Sequence, residues 1–154
     1  MPAKRSAGIL LFRRTTGTVE VLLGHMGGPF WARKDAGAWS LVKGEYAVGE
    51  EAEAAARREF TEELGLPVPG GDLLDLGDVT QSSGKVVSAW ALEADLDPDD
   101  VTPGTFGMEW PPRSGRVQQF PELDRVEWLD LPTAVAKIVK AQRAFLARLD
   151  DRLT

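Results

Sequence analysis

The segment Gly44–Leu66, GEYAVGEEAEAAARREFTEELGL, constrains this chain more than any other. Residues 50–64 are rich in Ala, Glu and Arg, all strong helix formers. Acidic residues crowd the start, where the helix dipole is positive. Gly65 stands where a left-handed cap closes a helix, and Pro67 follows it. The spacing predicts a helix over 50–64. Glu59, Glu62 and Glu63 then stand at i, i+3 and i+4, so three carboxylates share about 100° of helical arc. Ala56, Phe60 and Leu64 form the neighbouring apolar stripe, which a sheet can bury. Adjacent like charges repel. The three are either a solvated acidic face paired with Arg57 and Arg58, or oxygen donors for a hard divalent cation. The helix alone leaves both readings open.

Composition narrows the field. A chain of 154 residues has the length of one ordinary domain, expected to span 1–154. Hydrophobic residues at 43% and charged residues at 27% describe a globular chain rather than a disordered one. The net charge of −6 argues against an overall basic footprint for nucleic acid or attraction to an anionic membrane. A polyanionic ligand needs a cation or a local basic patch to enter. With no cysteine, disulfides, thiolate zinc sites, iron–sulfur clusters and a Cys nucleophile are excluded. One histidine excludes a multi-His site, so any metal is a hard cation on oxygen. The apolar run 9–12 is too short for a signal segment, and nothing approaches a membrane span, so a cytoplasmic protein is expected.

Around the helix, β-rich runs predict strands over 7–14, 18–25, 39–42, 73–81, 86–94, 106–110 and 126–129. Residues 26–38, 43–49 and 114–123 read as loop or irregular chain. A terminal amphipathic helix is expected over 133–149, with Val135, Ile138, Val139, Ala141, Phe145, Leu146 and Leu149 on one stripe. Strands and helices mix without regular βαβ alternation, which predicts an α+β fold with a mixed sheet and packed helices.

The wider spacing of the segment carries a resemblance. Gly44, Glu50, Arg58-Glu59-Phe60, Glu62-Glu63 and Gly65-Leu66 match every fixed position of the Nudix box, GX5EX7REUXEEXGU, where U is bulky and apolar. The chain resembles the Nudix hydrolase family, although Val42 stands where proline is common. The resemblance implies an α/β/α sandwich and hydrolysis of a phosphoanhydride in a nucleoside diphosphate linked to a group X. It implies Mg2+ or Mn2+ held by Glu59, Glu62 and Glu63, with Glu50 assisting and a main-chain carbonyl of Lys43 or Gly44 as a further ligand. It implies that Arg58 pairs with a box glutamate and holds it in place. The physics agrees: a bound cation inverts the local sign, bridges phosphate oxygens and lowers the pKa of a ligated water. Some relatives take the general base from the box and others from a later loop. Glu109 and Glu122 are the candidates here, with Glu122 favoured because it precedes the strand at 126–129.

Substrate signals are thinner. A proline common in ADP-ribose hydrolases is absent at Gln81-Ser82, and a tyrosine found in one type of dinucleoside polyphosphate hydrolase is absent at Ser82–Gly84. Phe30, Trp31 and Trp110 could stack a base or simply anchor loops. Arg5 and Lys43, with Lys4, Arg113 and Arg116, could meet phosphates or remain solvated. His25 could donate to a phosphate or serve the fold. The expected partner is a small nucleotide, an NTP or dinucleoside polyphosphate, with RNA 5′ ends and a silent nucleotide-binding module as alternatives. Monomer and homodimer are both compatible with the sequence.

Overall fold

The computed structural model describes residues 3–154; the first two positions of the expected 1–154 domain, Met1 and Pro2, lie outside the described residues. Its centre is β1 (Arg5–Thr15), whose residues 6–12 are all buried. Burial on both faces is what an uninterrupted apolar run requires. The strand lies parallel to β6 (Val86–Glu93) and antiparallel to β2 (Thr18–Met26). The two ends of β1 have different antiparallel neighbours. Phe12–Thr15 pair with β2, while Ser6–Ile9 pair with β4 (Val42–Glu45). The mixed sheet runs β3 (Trp39–Ser40), β2, β1, β6, β5 (Leu74–Thr80), with β9 (Leu123–Asp130) added to β2. A separate ribbon pairs β7 (Thr105–Glu109) with β8 (Val117–Pro121).

Strand alternation sorts the core into two layers. Ala7, Ile9 and Leu11 pack with Ala55, Ala56, Phe60 and Leu64 of α1 (Ala52–Leu64). Leu10 and Phe12 pack on the other face with Ala134 of α2 (Leu131–Lys137) and Phe145, Leu146 and Leu149 of α3 (Arg143–Leu153). The result is the expected sandwich of helices about a mixed sheet. No helix among the described residues is long and apolar enough to cross a membrane.

Three local expectations are corrected. The terminal helix is two helices, not one over 133–149. Ile138 is extended and bridges Trp39, and the Val139 N–H donates to the Trp39 carbonyl at 2.8 Å. Two β-branched residues thus continue the sheet edge, and Val135 is left 40% exposed rather than on a common stripe. Part of the expected loop 43–49 is β4, whose polar residues and glycine hide a strand that β1 holds by hydrogen bonds. Part of the irregular 114–123 is β8, a largely exposed edge with no alternating pattern to announce it.

Candidate active site

The α1 helix starts two residues later than expected and ends on Gly65, whose φ of 68° is left-handed and whose N–H donates to the Thr61 carbonyl at 2.8 Å. Phe60 and Leu64 bury against the sheet, which turns Glu59, Glu62 and Glu63 toward β4. A side chain at Gly44 would overlap the Glu59 carboxylate. The absence of a Cβ there is what lets the helix set Glu59 directly on the backbone of β4, where it is 6% exposed.

These groups line a cleft of about 450 Å³ with Ser6, Lys43, Gly44, Glu45, Lys85 and Glu122. Glu122 arrives from the far end of the chain. Gly104 ties it in: its N–H reaches the Glu63 carbonyl at 3.4 Å, and its carbonyl accepts from the Glu122 N–H at 2.8 Å. Gly27 then donates to the Glu122 carbonyl at 3.0 Å. The carboxylate thus stands between the end of α1 and the loop after β2.

Arg58 organises the acidic side. Its Nε and Nη2 each donate to Glu50 at 2.9 Å, a fork that clasps both carboxylate oxygens. Its Nη1 donates to Glu59 at 2.8 Å and to Glu62 at 3.0 Å. These partners, Glu50 first, raise the guanidinium pKa above its ordinary value, and Arg58 lowers that of Glu50. Glu63 lies outside this clasp. Burial, then the charges of Glu122, Glu59 and Glu62, push it up to about 7. Burial also raises Glu59 and Glu122. Burial, then the charge of Lys85, lowers Lys43, while Glu45, Glu63 and Glu59 oppose that shift.

The donor set is all oxygen and rich in negative charge, which fits Mg2+ or Mn2+. It is not drawn into a ready cage: among the described residues no three acidic or histidine side chains stand close enough together to ligate one ion. Arg58 instead engages three of the carboxylates itself.

The cleft brings together Lys43, Gly44, Glu59, Glu62, Glu63 and Glu122, with Arg58 and Glu50 beside it. Other expected residues stand elsewhere. Glu109 is exposed on β7, where its carboxylate accepts the Arg113 N–H at 2.9 Å. Trp110 follows it in the ribbon, its N–H donating to Arg116 O at 2.9 Å. Trp31 is half-buried against the core, edge-on to exposed Phe30 at 5.0 Å. Arg5 borders a separate hollow with Lys4, Tyr46, Val48 and Glu50. A phosphate-donor role for His25 is corrected. The ring is fully buried, with Nδ1 2.9 Å from Asp124 and Nε2 2.6 Å from the Lys34 carbonyl, so neither nitrogen is free for a ligand. Ser6 and Lys85 were not singled out in the sequence. Ser6 is the second residue of β1 and Lys85 immediately precedes β6, and the parallel pairing of the two strands brings both to the cleft.

A family model described as NUDIX domain matches residues 2–149. The chain belongs to the NUDIX domain family. The Nudix box is thus the segment from Gly44 on β4 through α1 to Leu66, and family membership supports hydrolase activity in general. Solved structures agree in fold. A C. elegans Ap4A hydrolase complex superposes with a TM-score of 0.68 at 22% identity, covering 98% of each chain. The NUDIX domain of Shewanella oneidensis NrtR, complexed with ADP ribose, gives 0.65 at 16% identity, covering 100% of this chain and 90% of that one. A mutT/nudix family protein from Listeria innocua gives 0.64 at 16% identity, covering 99% and 95%. A curated relative, an octanoyltransferase from Myxococcus xanthus, is 35% identical over 102 residues, 66% of this chain and 25% of that protein. The Nudix chain thus matches about a quarter of that relative's length.

Proposed function

We propose that this chain is a metal-dependent pyrophosphohydrolase that cleaves a nucleoside diphosphate linked to a group X, an NTP or dinucleoside polyphosphate. The observation that carries the reading is the meeting of Glu59, Glu62 and Glu63 with Glu122 and Lys43 in one polar cleft. Glu59, Glu62 and Glu63, with Glu50 and the carbonyls of Lys43 and Gly44, would hold Mg2+ or Mn2+. The ion supplies charge neutralisation and lowers the pKa of a ligated water. Arg58 holds Glu50, Glu59 and Glu62 in place, which would keep their oxygens aligned for the ion. Lys43 faces the phosphates with its ammonium. Glu122 takes the proton of the attacking water as the water oxygen bonds to phosphorus, and the bond from that phosphorus to the bridging oxygen breaks, so the second phosphate leaves with that oxygen and its electron pair. Its place on the cleft wall supports Glu122 over Glu109, which borders no part of that cleft.

The reading takes residues 1–154 as one Nudix domain, acting on a free nucleotide in the cytoplasm as a monomer or homodimer. The C. elegans Ap4A hydrolase, similar in fold at 22% identity, is consistent with a dinucleoside polyphosphate as substrate. A second reading, a nucleotide-binding module without turnover, draws on the clasp by which Arg58 engages three carboxylates. Chromatography of products decides between them. Purified protein with Mg2+ or Mn2+ is offered NTPs, dinucleoside polyphosphates, ADP-ribose and 5′-triphosphorylated RNA, with an EDTA control. Metal-dependent cleavage of one class is expected. Binding without cleavage across the panel would support the module.

A further inference from the structure

His25 is fully buried near the end of β2, and the register of the sheet changes beside it. Gly24 stands opposite Val126 and His25 opposite Arg125, but Met26 stands opposite Leu123. Asp124 is thus the extra residue of a β-bulge on β9, and Glu122 lies two positions before it. Bulges recur beside active sites because they re-aim the residues next to them. The core shows the effect here. Leu123 and Val126, three apart, both bury in the α1 layer, which a strand of period two does not allow. A slip of one residue would turn the neighbouring side chains to the opposite face, Glu122 among them.

The bulged residue is the one that His25 grips. Nδ1 lies 2.9 Å from each Asp124 carboxylate oxygen, and Nε2 lies 2.6 Å from the Lys34 carbonyl in the loop after β2. A carboxylate on one nitrogen and a carbonyl on the other call on both to donate. Trp39 packs edge-on to the ring at 5.2 Å, and its own Nε1 donates to Asp35 at 2.9 Å. The ring is therefore held from its sides and its face. Glu122, by contrast, is seated through its backbone. Its N–H donates to the Gly104 carbonyl at 2.8 Å, and its carbonyl accepts from the Gly27 N–H at 3.0 Å. A side chain at Gly27 would overlap the Pro121 carbonyl, so the loop after β2 and the turn carrying Glu122 lie in direct contact. We infer that His25 is a positioning residue: by gripping Asp124 it fixes the bulge that keeps the Glu122 carboxylate on the cleft wall beside Glu63. The inference rests on the hydrolase reading for what Glu122 does there.

The test uses the full chain. The Asp124 side chain is 29% exposed, so changing it breaks the grip from outside and spares the core. Asp124→Ala is expected to lower kcat about tenfold with KM little changed, since a small displacement of a reacting group is costly. His25→Phe keeps a ring without its donors and is expected to repeat that result. Asp124→Asn keeps an oxygen for the ring and is expected to retain most of the rate. In a Glu122→Gln background Asp124→Ala is expected to cost nothing further, because the group it positions is already gone. Losses that multiply in the double variant, or an unchanged kcat in Asp124→Ala, would overturn the inference. Amide hydrogen exchange reads the seat of Glu122 without substrate. The Gly27 and Glu122 amides are expected to exchange faster in Asp124→Ala than in the wild type, while those of β1 do not. Unchanged exchange at both overturns the inference, and so does equal acceleration through β1, since His25 would then serve the fold alone. The hydrolase reading is judged separately by turnover. Faster exchange at Gly27 and Glu122, with no nucleotide cleaved by the wild type, preserves the grip on the bulge and removes the hydrolase. Cleavage by the wild type, with exchange unchanged in Asp124→Ala, does the reverse.

Discussion

Glu62 and Glu63 differ by one position in the chain and by much more in their surroundings. Glu62 is bonded to Arg58 and its side chain is 56% exposed, whereas Glu63 is held up at about 7 by burial and by Glu122. Glu62→Gln and Glu63→Gln each preserve shape and remove charge. Each is expected to cut Mg2+-dependent turnover about a hundredfold with the fold intact, as steady-state rates and circular dichroism will show. Near-wild-type rates in both would remove the metal role. Glu63 also couples stability to pH. Its folded pKa lies above the unfolded value of about 4.3, so between those two values the folded state keeps a proton that the unfolded state has lost. Without metal, this group's contribution to stability is full below the unfolded pKa and is lost as pH rises toward about 7. Thermal melts in EDTA across that range should show the decline, and Glu63→Gln should flatten it. A melt profile identical in wild type and Glu63→Gln would contradict this account.

Among the elements, the break between α2 and α3 does most to join distant parts of the sheet. Gln142 is fully buried in the turn after the break. Its Oε1 accepts from the Leu41 N–H at 3.0 Å, and its Nε2 donates to Ser40 at 3.1 Å and Gln81 at 3.2 Å. One amide thus ties β3 and the chain leading into β4 to the end of β5. Gln142→Leu fits the apolar preference of a helical stripe but leaves the Leu41 N–H unpaired. It is expected to destabilise the protein by about 1–3 kcal/mol in urea titration. A neutral result would mean the helices are joined by packing alone. The apolar spacing over 133–149 suggested one helix because it records which residues are buried, not which backbone groups the sheet edge claims. Phe145, Leu146 and Leu149 are buried as that stripe requires, and only the hydrogen bonds of Ile138 and Val139 reveal the break.

For the molecule as a whole, the two core layers share β1, which packs α1 through Ala7, Ile9 and Leu11 and the C-terminal helices through Leu10 and Phe12. Neither layer can lose its partner without exposing that strand. Heating is therefore expected to give one cooperative transition, with calorimetric and van't Hoff enthalpies equal. Two resolved transitions would contradict the single-domain reading.

Local chemistry determined much of this protein. The α1 helix, its Gly65 cap, the shared face of Glu59, Glu62 and Glu63 and the buried stripe of Phe60 and Leu64 were all legible, because each depends on residues within a turn or two. The tertiary structure alone decided which distant groups complete the cleft. Glu122 reaches Glu63 through the backbone of Gly104, Lys85 and Ser6 arrive through parallel strand pairing, and His25, weighed as a phosphate donor or a structural residue, is buried against Asp124. Those contacts join residues up to 99 positions apart, and no local propensity encodes which strand will lie beside which. The physical reason is that a helix closes its own hydrogen bonds, while a sheet must find its partners across the chain.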